Sequence, residues 1–244
     1  MEHFPVFTLL NIRLRMNLVL ASAWILLGAS TATAGTIIGS VRAEAKSGAD
    51  GDSAGGAYAS RKYKFVERVN YEDMHEFLVF IDGHFATTNL TTNVVQVSTR
   101  RVAQQGATFS PHILPVVAGT TVEWPNEDNI FHNVFSVSDA KQFDLGLYKG
   151  NPPEKRITFD KPGRVDVYCS IHQNMHCVVY VLENSFFAVT DKRGNYSISG
   201  VPPGTYKLKA WHERLPMTEQ QITVPADGEV KADFVMGIKN LPQY

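Results

Sequence analysis

The sequence predicts an all-β chain of sandwich type, and three observations carry that expectation. Short strand-like runs recur at close intervals, Gly- and Pro-centred turn signals separate them, and no helical stripe of useful length appears after residue 34. The clearest turn signals are Lys161-Pro162-Gly163, Lys192-Arg193-Gly194 and Pro202-Pro203-Gly204. Many short strands at this spacing point to β-sandwiches, with helix confined to a turn or two.

In chain order, Arg13 and Arg15 precede the apolar run Leu18 to Ala29 and the small residues Ser30 to Ala34. This is the three-part layout of a secretory signal peptide over residues 1–34, with Ala32-x-Ala34 as the cleavage motif and Met16 as an alternative start. The apolar run falls short of the roughly 20 residues of a spanning helix, although Phe4 to Leu10 adds apolar length for an uncleaved anchor. Both readings place the body of the chain outside the cytoplasm, periplasmic or otherwise exported. No second apolar run of spanning length follows, so no membrane span is expected in the mature chain.

Gly35 to Val41 alternates as a strand does, and Phe77 to Ile81 is a short buried-type strand ended by the turn pair Asp82-Gly83. These N-terminal strands lie in 35–84, interrupted by a Gly/Ala/Ser/Asp stretch at 47–60 that reads as a flexible loop. Further runs are Val94 to Val97, Ile113 to Val117, Thr120 to Trp124, Val134 to Val137, Ile157 to Phe159 and Val165 to Tyr168. The series continues with Cys177 to Leu182, Phe186 to Thr190, Tyr196 to Ile198, Tyr206 to Trp211, Gln221 to Val224 and Val230 to Phe234.

The 244 residues carry 23 Lys+Arg against 24 Asp+Glu, a formal charge of −1. No basic field exists to hold phosphates, so nucleic acid is excluded as a partner. Hydrophobic residues at 44 % allow real cores in one large or two small domains. Two cysteines, Cys169 and Cys177, are too few for a disulfide scaffold, so their surroundings decide their meaning.

Cys169-Ser-Ile-His172-Gln-Asn-Met175 leaves one strand run and enters another, and His132 stands directly before the run Asn133 to Val137. One thiolate, two imidazoles and one thioether are the donor set of a type 1 (blue) copper site, with three strong ligands near a plane and a long axial Met. The soft sulfur donors favour Cu(I), the imidazoles suit both oxidation states, and a geometry acceptable to both keeps reorganisation small. His132, Cys169, His172 and Met175 are therefore the expected ligands of one copper ion. The competing reading is a disulfide between Cys169 and Cys177, which would destroy that site. Otherwise Cys177 reads as a buried free thiol in a strand. His176 reads as a rim residue, with modulation of the site or an extra metal contact as the alternative, His112 and His212 as structural, and His75 and His84 as surface groups. No catalytic triad, phosphate-cradling loop or paired-carboxylate signature has supporting context, so a carrier rather than an enzyme is expected.

The stretch from about Val94 to Glu183 resembles a cupredoxin, through Phe109-Ser-Pro-His112, Val122-Glu-Trp-Pro-Asn126, Phe131-His-Asn-Val134 and Gly163 to Met175. The short CxxHxxM spacing is similar to that of amicyanin, whereas plastocyanin-type loops are longer. The resemblance implies a Greek-key sandwich over 90–183 and a supporting role for Asn133, hydrogen-bonding near the cysteine end of the ligand loop and fixing the site from behind the ligands. The wording around Phe143 to Tyr148 and Asp160 to Gly163 is also similar to exported plastocyanin-like proteins labelled as methylamine-utilisation proteins. The resemblance further implies transient periplasmic electron donor and acceptor proteins docking at the exposed edge of His172.

Residues 184–238 resemble the carboxypeptidase regulatory-like domain, a small transthyretin-like sandwich, through Asp191-x-x-Gly194-x-Tyr196 and Pro202-Pro-Gly-x-Tyr206, with 239–244 as a tail. Such domains begin with a GxxxGxV strand and a short hydrophobic strand, and the matching pieces here are Gly35 to Val41 and Phe77 to Ile81. Two arrangements follow: a cupredoxin inserted into the second sandwich, or two domains in tandem. The leading expected function is single-electron transfer, with copper carriage or buffering and an envelope scaffold as alternatives.

Overall fold

The computed structural model describes residues 1, 34–44, 71, 73–85, 100–150 and 155–237. The signal-peptide layout, the 47–60 loop, the run Val94 to Val97 and the 239–244 tail lie outside the described residues. Among the described residues there is no helix, and none long and apolar enough to cross a membrane.

Two strands come first, β1 (Gly35–Glu44) and β2 (Leu78–Ile81). Next are β3 (Arg100–Arg101), β4 (Ala103–Gln105), β5 (Thr108–Ser110), β6 (Ile113–Val117), β7 (Thr120–Glu123) and β8 (His132–Ser138). They are followed by β9 (Lys141–Tyr148), β10 (Arg156–Phe159), β11 (Gly163–Tyr168) and β12 (His176–Leu182). Six more complete the series: β13 (Phe187–Val189), β14 (Asn195–Val201), β15 (Gly204–His212), β16 (Leu215–Val224), β17 (Glu229–Lys231) and β18 (Phe234–Gly237).

A central sandwich forms from the sheet β6-β12-β11-β8-β9 facing β10-β7-β3, with the β4-β5 hairpin beside them. Val116, Val122, Trp124, Phe159, Val165, Val167 and Val179 fill the space between its sheets. A second sandwich has β14-β1-β17, extended by β18 on β1, against β13-β2-β15-β16. Its core includes Ile37, Val41, Ile198 and Phe234 from one sheet and Val79, Ile81, Leu208 and Ile222 from the other. The strands before and after the central segment thus share sheets: β1 pairs β14 antiparallel and β17 and β18 in parallel, while β2 lies between β13 and β15.

The unbroken apolar run of β2 has a physical reason. Val79 and Ile81 enter the second sandwich's own core, whereas Leu78 and Phe80 point the other way and meet Trp211 with Ile113, Val178 and Leu182 of the central sandwich. A strand covered on both faces shows no alternation. Leu78→Ala is expected to cost about 2–5 kcal/mol in urea-monitored unfolding, because it opens a cavity where the two sandwiches meet.

The strand expectations need correction at several places, beginning with the short strands β4 and β5, which no expected run covers. The run Val230 to Phe234 is two strands, because the chain crosses Gly39: β17 pairs Thr36 to Ile38 and β18 pairs Val41 to Glu44. Between them Ser40 N–H donates to Asp233 Oδ1 at 2.9 Å, a side chain replacing a ladder bond. β9 has no counterpart among the expected runs and β16 starts six residues before Gln221. Both are edge strands with alternating exposed positions, so their main-chain pairing with β8 and β15 outweighs a weak apolar pattern.

Candidate metal centre

The site forms at one end of the central core, where β8 begins and the β11–β12 connection turns. Met175 N–H donates to the His172 carbonyl at 3.0 Å, and Cys169 N–H to the Met175 carbonyl at 3.2 Å, closing the loop on itself. Cys169 and Met175 are buried in the same cluster, His132 is wholly buried and His172 is partly exposed. His132 Nδ1 and His172 Nδ1 stand 2.8 Å apart, and Cys169 Sγ lies 3.6 Å from His172 Nδ1. One ligand atom from each of the three residues lies within 4.8 Å of the others.

The surroundings aim these donors inward. His132 Nε2 lies 2.8 Å from Asp128 Oδ2, a carboxylate that only accepts, so the ring N–H belongs on Nε2 and the Nδ1 lone pair faces His172 and Cys169. Asp128 is itself fixed by Gly106 and Ala107, whose N–H groups donate at 2.7 and 2.9 Å from the β4–β5 turn. Both turn residues have positive φ, 62° and 52°, the mirror-type turn that points two amides the same way. The amide bonds, led by that from Ala107, hold the Asp128 carboxyl below its ordinary range, with His132 adding to them. Asn126 completes the loop: its Oδ1 accepts from Asp128 N–H at 3.0 Å and its Nδ2 donates to the carbonyls of Ile130 and Tyr148.

Asn133 meets the cysteine through its main chain. Its main-chain N–H points at Cys169 Sγ at 3.5 Å, while its side-chain Nδ2 donates to Asp144 Oδ1 at 2.6 Å, across to β9. The side chain therefore braces the neighbouring strand, and the amide reaches the sulfur because β8 runs beside β11 there.

Both cysteines are free thiols. Cys177 is buried within β12, and burial pushes its thiol well above the ordinary value. His75 and His84 are exposed. His212 is buried against the Phe77 ring, and desolvation lowers its pKa. His112 and His176, read separately from sequence, come together with Glu213. Sequence reasoning also missed Asp128; its signal was the Asn126-x-Asp128-x-x-x-His132 spacing, an Asx-type loop leading into the first histidine.

The residues present fit a copper ion: their donor types match a type 1 set, and the distal nitrogen of His132 and the cysteine sulfur both have partners that orient them.

The sequence profile of the carboxypeptidase regulatory-like domain matches residues 177–237. No curated protein sequence matches the chain. Among solved structures it is similar to a copper-containing nitrite reductase from Thermus scotoductus, with 31 % identity over 36 % of this chain and a TM-score of 0.33. It spans 23 % of that reductase. It is also similar to a purple cupredoxin from Nitrosopumilus maritimus, 27 % identical over 34 % of this chain and 98 % of that one, TM-score 0.29. A point variant of amicyanin in its reduced Cu(I) form is 22 % identical over 42 % of this chain and 97 % of that one, TM-score 0.30. The described residues are all-β, the carboxypeptidase regulatory-like match lies at their C-terminal end, and the solved structures similar to the chain include cupredoxins.

Proposed function

We propose that this chain is an exported electron carrier that holds one type 1 copper through His132, Cys169, His172 and Met175. The observation that carries the reading is the convergence of two imidazole Nδ1 atoms and the Cys169 sulfur beside a buried methionine at one end of a β-sandwich core. Copper in such a set supplies a one-electron couple, with the soft sulfurs favouring Cu(I) and the imidazoles serving both states.

The chain's own residues do the rest. Asp128 orients His132, the Asn133 amide hydrogen-bonds the Cys169 sulfur, and burial of His132 and Met175 keeps water from that side. His172 is the partly exposed ligand, and Ile130, Phe131 and Ile171, near the ligands in sequence, are exposed apolar residues. This edge suits brief docking by periplasmic electron donors and acceptors, whose interfaces are small. The domain reading that goes with it is a copper sandwich over 90–183, interrupting a regulatory-like sandwich made of 35–84 and 184–238 and preceded by an export signal at 1–34.

Copper titration of the purified protein, followed by visible and electron-spin spectroscopy, tests the proposal. One equivalent should bind with an intense thiolate-to-copper band and reversible one-electron cycling, and Met175→Ala should keep the band while shifting the reduction potential. Absence of the band in the parent protein refutes it, and ready transfer of copper to an acceptor apoprotein with slow redox cycling would mark a copper carrier instead.

A further inference from the structure

We propose that His112, His176 and Glu213 form a second metal site, separate from the copper centre, that takes one divalent ion of zinc's class and clasps the two sandwiches together. The proposal stands independently of the copper reading.

The three residues come from three places in the chain. His112 precedes β6, His176 opens β12, and Glu213 sits in the β15–β16 turn of the other sandwich. One ligand atom from each lies within 4.8 Å of the others. His112 Nε2 is 3.0 Å from Glu213 Oε1 and His176 Nδ1 is 3.8 Å from Glu213 Oε2, so the rings address the two oxygens of one carboxylate. Metal bonds of about 2.0–2.1 Å at tetrahedral angles put ligand atoms about 3.3 Å apart, inside this range.

The distal ring nitrogens decide the chemistry. His112 Nδ1 lies 3.1 Å from the His176 carbonyl oxygen, and His176 Nε2 lies 2.9 Å from Asp166 Oδ1. Both of those partners only accept, so each ring carries its N–H on the far side. In the neutral rings the remaining lone pairs then face a carboxylate, an arrangement that repels unless positive charge stands between them. A single divalent ion supplies that charge and uses all three donors. A carboxylate and a main-chain carbonyl behind two histidines are the partners by which metal-bound imidazoles are held.

The His112 hydrogen bond keeps the Glu213 carboxyl below its ordinary range. The charged groups that line the same cleft as Glu213 are Asp73, Glu76, Lys192 and Arg214, with Glu76 the carboxylate that acts on His112 besides Glu213. The ring of His176 is also fixed from its face, stacked on Tyr168 with centroids 4.8 Å apart. His112 and Glu213 line a cleft of about 530 Å³ together with His75, Glu76 and His212, which leaves room for water at a fourth position.

The test uses the full chain carrying Cys169→Ala and His172→Ala, which disable the copper ligands, stripped with chelator and titrated calorimetrically with Zn²⁺ alone. One equivalent is expected to bind. Adding Glu213→Gln or His112→Phe should weaken it by about 100-fold or more, and Asp166→Asn by about tenfold. As a second measurement that leaves the copper ligands intact, Zn²⁺ should raise the Tm of the parent protein by more than that of Glu213→Gln. No bound equivalent, or an affinity unchanged by Glu213→Gln, overturns the proposal and leaves a proton-bridged cluster. The copper reading is judged by its own visible band, so the two fail separately.

Discussion

Cys169→Ala is expected to remove the intense visible band completely, while Cys177→Ala leaves it at full strength. Only Cys169 has its sulfur among imidazole nitrogens, 3.6 Å from His172 Nδ1, with a main-chain amide directed at it. Cys177 lies in the interior of β12 with a thiol that burial keeps protonated, so it has neither the position nor the charge of a ligand. Its replacement should appear only as about 1 kcal/mol of lost stability, from a small gap in the core. Parallel copper titrations of the two variants, read in the visible region, check the contrast. Equal loss of the band in both would show that the two sulfurs act together and would remove the ligand assignment.

Gly39→Ala is expected to destabilise the second sandwich by about 3 kcal/mol or more, a large effect for one methyl group. A Cβ at this position would stand 1.9 Å from the carbonyl oxygen of Ala232 and 3.0 Å from the Tyr196 ring. The first obstacle is main chain held by the Ala232 N–H bond to Ile38 O at 2.9 Å, so it cannot swing aside as a side chain could. Relief requires parting β1 from the segment that joins β17 to β18. Gly194 shows the same constraint from the other flank, with φ of +82° and a Cβ that would lie 2.3 Å from Val41 O. Denaturant unfolding of Gly39→Ala beside Ser40→Ala checks the expectation. A change below about 0.5 kcal/mol for Gly39→Ala, the range of ordinary surface substitutions, would mean that the crossing is looser than the structure shows.

The two variants probe features of different legibility. The loop Cys169 to Met175 could be read as a ligand set because donor chemistry is written in residue types, and a CxxHxxM spacing brings three donors to one turn. His132 was readable for a related reason, standing at the start of an alternating strand. Asp128 was not, because an aspartate in a loop gains its role only from the Gly106-Ala107 turn, which reaches it from a separate hairpin. For Asn133 the residue and the end of the loop it meets were readable, and the group that makes the contact was not. Whether an amide or a side chain meets the sulfur depends on the offset between β8 and β11, and no spacing along one strand encodes that.

The strands divide in the same way. Runs with strong apolar character, such as β2, β6 and β12, were visible because burial on one or both faces demands it. Edge strands β9 and β16 were partly or wholly hidden, since half their side chains face solvent and their order comes from main-chain hydrogen bonds to a neighbour.

By itself, then, the sequence determined the all-β class, most of the strands and the four residues proposed as copper ligands, because these depend on residue chemistry and short-range periodicity. Tertiary structure alone decided that β1 and β2 join strands more than a hundred residues later, and that His112, His176 and Glu213 meet. Those outcomes depend on which faces are brought together by burying Leu78, Phe80 and Trp211 against Ile113, Val178 and Leu182. The apolar gain is non-directional, so the sequence shows that these residues seek cover without showing what covers them.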